Sequence, residues 1–132
     1  METEIIGIDH GNAAIKTRSV SFPNGITEYD FEPYTKQNVL EYGGKYYVCG
    51  SGRLPLLKDK TINDSFYLLT LAAVAKELDH RACGNRAGII LAAGLPLTGF
   101  GLHKGAFRKY LLRGKTEHFL FEGREYEITI RD

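Results

Sequence analysis

With 132 residues, 43% of them hydrophobic, the chain is sized for one domain that buries roughly two thirds of its unfolded surface without a disulfide or metal staple. Seventeen basic residues against sixteen acidic ones leave a net charge of +1, which argues against direct nucleic-acid binding and against a polybasic membrane anchor. The acidic start Met1-Glu2-Thr3-Glu4 does not read as a signal peptide, and no apolar run approaches about 18 residues, so a cytoplasmic chain is expected.

The first stretch, Ile5 to Val20, runs apolar (Ile5, Ile6, Ile8), then polar (Asp9, His10, Gly11, Asn12), then β-branched (Ile15, Thr17, Val20), which predicts a hairpin with a tight tip. Gly11 and Asn12 both tolerate left-handed backbone, so the tip can aim N–H groups at an anion, and Lys16 on the return strand can add a point charge. A plain hairpin with a solvated Asp and Lys satisfies the same pattern.

Pro23-Asn24-Gly25 signals a turn, and the Tyr29, Phe31, Tyr34 stretch, alternating with acids and ending near Pro33, is expected to face a core or a sheet rather than to form a recognition patch. Val39 to Val48 reads as a second hairpin around Gly43-Gly44. Residues 49–63 are rich in Gly, Pro and Lys and read as a loop, with Lys58 and Lys60 solvated. Asn63 or Asp64 can cap a helix beginning near Ser65, whose apolar residues on nearly every side (Phe66, Leu69, Ala73, Val74, Leu78) predict deep burial; Leu78 to Ala82 ends it, with Gly84-Asn85 as a suitable stop.

Ala87 to Ala93 is an unpunctuated apolar run, as for a central strand covered on both faces. Gly94 to Gly101 is a loop at its carboxyl end, leading into a helix from about Leu102 to Arg113. Glu117 to Ile130 is a third hairpin, around Glu122-Gly123. Cys49 and Cys83 lack metal spacing and are expected to be reduced structural thiols, and His80, His103 and His118 read as solvated. The alternation of strands and helices predicts a single α/β domain, residues 1–132, with a mixed sheet, flanking helices and an extra β-hairpin.

The Asp-x-Gly-x-x-x-x-Lys turn of Asp9 to Lys16 resembles the first phosphate loop of the actin and Hsp70 ATPase superfamily. Taken with Leu-Thr-Leu-Ala-Ala-Val-Ala-Lys-Glu-Leu in the long helix and Ile-Ile-Leu-Ala-Ala-Gly-Leu-Pro-Leu from Ile89 to Leu97, the chain resembles the N-terminal half of a bacterial actin-like protein of the plasmid-partitioning, ParM-like type. That resemblance implies a ribonuclease-H-like fold and ATP with Mg2+ as ligands. It implies that Asp9 faces magnesium through water, that Gly11 and Asn12 present N–H groups to the phosphates, and that Lys16 neutralises them. It further implies self-association into filaments in the full-length protein, plasmid or DNA segregation, and a DNA-binding adaptor as partner.

The resemblance covers one wall of a two-walled cleft. An isolated chain is therefore expected to bind Mg-ATP weakly or undetectably and not to hydrolyse it, because the opposing wall that excludes water is missing. Ending at Asp132 directly after a strand-like run reads as a cut at a domain boundary. Two other classes fit the residues: the first domain of a metabolic kinase of the same superfamily, and a non-enzymatic interaction module. A two-metal ribonuclease is disfavoured, because Asp9 finds no convincing set of partner carboxylates.

Overall fold

The two outermost strands of the sheet are consecutive in the chain. In the computed structural model, which describes residues 2–10, 14–50, 65–94 and 108–131, the strands are β1 (Glu2–His10), β2 (Ala14–Lys16), β3 (Ser21–Pro23), β4 (Ile26–Tyr29), β5 (Val39–Tyr42), β6 (Lys45–Cys49), β7 (Arg86–Gly94), β8 (Thr116–Phe121) and β9 (Arg124–Ile130). They form one nine-stranded sheet in the order β3-β2-β1-β7-β9-β8-β5-β6-β4. Asn24 and Gly25 alone separate β3 from β4, so the sheet curls until its two edges meet there. Gly50 N donates to Gly25 O at 2.7 Å beside that junction.

Inside the curl lies α1 (Ser65–His80), with twelve of its sixteen residues buried. A helix without a polar stripe needs cover on most of its sides, and the curled sheet supplies much of it, with Tyr110 and Arg113 packing on Tyr67. Lys76 shows how tight the wrap is. Its ammonium lies 5.5 Å from the ring centroid of Phe22 on β3 and 5.6 Å from that of Phe121 on β8, strands that a flat sheet would hold far apart. Ile6, Ile8, Ile15, Leu40, Ile89, Ile128 and the helix residues Leu69, Leu71 and Leu78 make up much of the dry centre.

The sheet is mixed, as expected for an α/β domain. β1, β7 and β9 are parallel, and the remaining neighbours are antiparallel. The hairpins expected at 39–48 and 117–130 are β5–β6 and β8–β9. Gly43 and Gly44 turn the first with φ of 59° and 81°, the left-handed pair that matches the strands' twist. The extra hairpin is not a separate layer: β5 pairs β8, which makes it part of the main sheet.

Four expectations need correction. The return arm of the first hairpin ends at Lys16, because residues 17–20 form a turn closed by Thr17 N to Val20 O at 2.8 Å. α1 ends at His80, inside the Leu78 to Ala82 stretch expected to end it, but its left-handed cap is Ala82 and not Gly84-Asn85. Ala82 takes φ +56°, its N–H bonds Asp79 O and the Cys83 N–H bonds Leu78 O, the paired closing bonds of a left-handed C-terminal cap. The central strand β7 is not covered on both faces among the described residues, since Ile90 and its neighbour Ile5 on β1 are exposed. Finally, Phe31 and Tyr34 lie on the surface, where Asp30, Glu32 and Pro33 interrupt any strand alternation.

Of the second expected helix, residues 108–111 are described and helical. Its earlier part, the caps Asn63 and Asp64, the loop 51–63 and the loop 95–101 lie outside the described residues. Cys49 is buried and Cys83 half-buried, and neither is in a disulfide.

Candidate functional site

The site is set by strand register. Asp9, near the end of β1, pairs with Lys16 on β2 and with Gly94, the last residue of β7. The alternation of β1 and β2 buries Ile8 and Ile15 and leaves Asp9 and Lys16 exposed. Directly opposed residues of an antiparallel pair hold their Cβ atoms about 5 Å apart on one face, so a carboxylate and an ammonium share this spot. It lies outside the carboxyl ends of two parallel strands, where α/β sheets build ligand clefts. Gly11 and Asn12, the other two expected site residues, lie outside the described residues.

The hairpin arm is braced from below by a residue that sequence reasoning missed. Glu77 on α1 is fully buried, and its carboxylate accepts from Thr17 Oγ1 at 2.7 Å, Ser19 N at 3.2 Å and Ser19 Oγ at 3.3 Å. Arg81 Nε donates to the same carboxylate at 2.6 Å, while Arg81 also reaches Ile5 O at 3.0 Å on β1. One carboxylate thus ties the helix end, the first strand and the turn after Lys16 together. Burial alone would push Glu77 up; the hydrogen bonds from Thr17 and Arg81 and the Arg81 charge outweigh it and hold the group below the usual carboxylate range. The available signal was an acid four residues before an arginine at the end of an otherwise apolar helix.

The other end of α1 is held by a second buried acid. Glu117 on β8 accepts from Tyr42 Oη at 2.9 Å and from Tyr67 Oη, and Tyr67 N donates to Tyr110 Oη at 2.8 Å. Arg113 stacks 3.7 Å from the Tyr67 ring centroid. Burial and the bond to Glu117 push the Tyr67 hydroxyl up, so it stays a proton donor. This network is on the helix side of the sheet, and its groups satisfy one another.

Among the described residues no group of three or more His, Cys, Asp or Glu side chains is placed to hold a metal, and no helix is long and apolar enough to cross a membrane. His118 is exposed, 3.6 Å from a Glu127 carboxylate oxygen.

The fold is that of the ParM- and Alp-type actin-like proteins. Apo pSK41 ParM superposes with a TM-score of 0.73 at 17% identity, over 98% of this chain and 48% of that one. The filament structure of Alp12 gives 0.66 at 18% over 100% and 46%, and that of AlfA from B. subtilis plasmid pLS32 gives 0.62 at 17% over 96% and 53%. The chain therefore spans about half the length of the solved structures it matches. No family model matches the sequence, and no curated protein does.

Proposed function

We propose that this chain is the phosphate-binding half of the nucleotide cleft of an actin-like, filament-forming ATPase. The observation that carries the reading is the alignment of Asp9 with Lys16 and Gly94 at the carboxyl ends of β1 and β7, in a fold shared with actin-like filament proteins. Asp9 holds Mg2+ through water, which suits a hard cation that keeps much of its hydration shell and needs few protein ligands. Lys16 neutralises the phosphates, and Gly11 and Asn12 present N–H groups to them. Because one wall of a cleft leaves the nucleotide in water, binding is weak and the chain alone does not turn ATP over.

The assembled protein forms filaments and serves plasmid or DNA segregation through a DNA-binding adaptor. That AlfA comes from a plasmid and was solved as a filament supports this part. The test is an NMR titration of the 132-residue chain with Mg-ATP, Mg-tripolyphosphate and adenosine. Shifts at Gly11, Asn12 and Lys16 with both phosphate ligands but not adenosine, lost in Lys16→Ala, are expected. Equal shifts in Lys16→Ala, or shifts with adenosine in place of the phosphate ligands, sink the reading.

A further inference from the structure

β2 and β3 are three residues each and lie at one end of the strand order, and β2 meets β1 at two register positions, Asp9 with Lys16 and His10 with Ile15. A ladder this short does not fix an arm by itself, since short paired segments open locally with ease. Ile15 and Phe22 beneath the arm are buried, but apolar burial is non-directional and lets an arm slide. Lys16 needs a defined place opposite Asp9 if the two are to serve one ligand.

We infer that Glu77 is the positioning residue of this arm: it ties the turn after Lys16 to α1 and so keeps Lys16 opposite Asp9, a role that rests on the phosphate-binding reading above. Lys16 and Ser21 are register partners, so Thr17 to Val20 is the loop that joins β2 to β3. Thr17 Oγ1 donates to Glu77 Oε1 and accepts from Val20 N at 3.1 Å, so one hydroxyl both closes the loop and anchors it. Ser19 adds its N–H and its Oγ to the same carboxylate. The anchor is rigid, because Glu77 has no exposed surface and sits in the last turn of a helix buried along most of its length.

Glu77 Oε2 accepts from Arg81 Nε, and that guanidinium also reaches Ile5 O and lies 3.7 Å from a Glu4 carboxylate oxygen, both on β1. The two strands that carry the site are thus held to one carboxylate, β2 through Thr17 and β1 through Arg81. Stability alone does not require such a device, since well-packed apolar residues in place of a buried ion pair are often neutral or stabilising. What the carboxylate supplies and an apolar side chain cannot is direction. Each hydrogen bond sets a distance and an angle, and the Thr17 bond does so one residue from Lys16.

The experiment is amide hydrogen exchange of the 132-residue chain, then titration with tripolyphosphate, for wild type, Glu77→Gln, Thr17→Val, Lys16→Ala and Tyr67→Phe. The last is a control for stability, because it loses its bond to Glu117 at the far end of α1. Thermal melts confirm folding and set the protection that each variant loses everywhere. In Glu77→Gln and the milder Thr17→Val, protection at residues 14–17 should fall by about tenfold or more beyond the loss across β8 and β9. Their tripolyphosphate Kd should rise about two- to fivefold, the size of one screened ion contact, and Tyr67→Phe should show neither change. Protection at 14–17 that falls only in step with β8 and β9, or a loosened arm with unchanged tripolyphosphate affinity, overturns the role of Glu77 and leaves the phosphate-binding reading standing. Tripolyphosphate shifts equal in wild type and Lys16→Ala remove both. Where the wild type binds too weakly to titrate, the exchange comparison decides alone.

Discussion

Glu77 and Thr17 are sixty residues apart in the chain and share a 2.7 Å hydrogen bond. Through it the last turns of α1 grip the turn that follows Lys16. Replacing Glu77 with Ala strips four donors of their acceptor, and a broken buried charge pair or network costs about 3 kcal/mol. For a domain of this size that is a Tm lower by roughly 10 °C. A Glu77→Ala protein that melts with the wild type would show that the network contributes nothing.

The same carboxylate sets a pH dependence. Glu77 is held below the ordinary value of about 4.3, so the unfolded chain takes up its proton first as pH falls. Its contribution is fully present above about pH 4.5 and is lost as pH drops through the lower folded value. Urea midpoints measured from pH 6 to pH 3 should fall more steeply for the wild type than for Glu77→Gln; parallel curves would contradict the assignment.

Ala82 takes φ +56° at the end of α1, a conformation that costs a residue with a Cβ roughly 1 kcal/mol. Ala82→Gly should therefore stabilise the fold by up to about 1 kcal/mol, the reverse of what the same change does within a helix. Denaturant melts of the single variant decide it, and a lower midpoint would mean that the cap strain has been misread.

Cys49 is buried and its thiol is pushed up to about 12 by burial, against the opposing pull of Lys76. Since the thiolate is the reactive form, native protein at pH 8 should titrate one thiol, Cys83, with a disulfide reagent, and a second only on unfolding. Equal rates for both would place Cys49 in contact with solvent.

How much of this was legible in the sequence depends on segment length. Val39 to Val48 is two β-rich runs joined by Gly43-Gly44, and Glu117 to Ile130 alternates on both sides of Glu122-Gly123, so their pairing could be read directly. β3 and β4 are three and four residues long, too short to reveal an alternation, and nothing local says that they occupy opposite edges of one sheet. The buried helix was visible because its apolar residues leave no polar stripe; that much of its cover is the curled sheet was not. That Asp9 and Lys16 face each other follows from their places on the two sides of a hairpin tip, whereas Glu77 was passed over, because an acid near a helix end looks like solvent-facing charge until its partners are placed. Ala82 escaped for a related reason: left-handed backbone is signalled by glycine, and here an alanine bears it.

β9 is the last strand in the sequence, yet it lies between β7 and β8 near the middle of the sheet. A chain emerging from the ribosome at about 5–20 residues per second therefore exposes α1, β1 and β7 for seconds before their sheet can close. Until residues 124–130 arrive, the two halves of the sheet have no common neighbour, so the sheet closes only once β9 has left the ribosome. During that interval the nascent chain is a natural client for a holding chaperone.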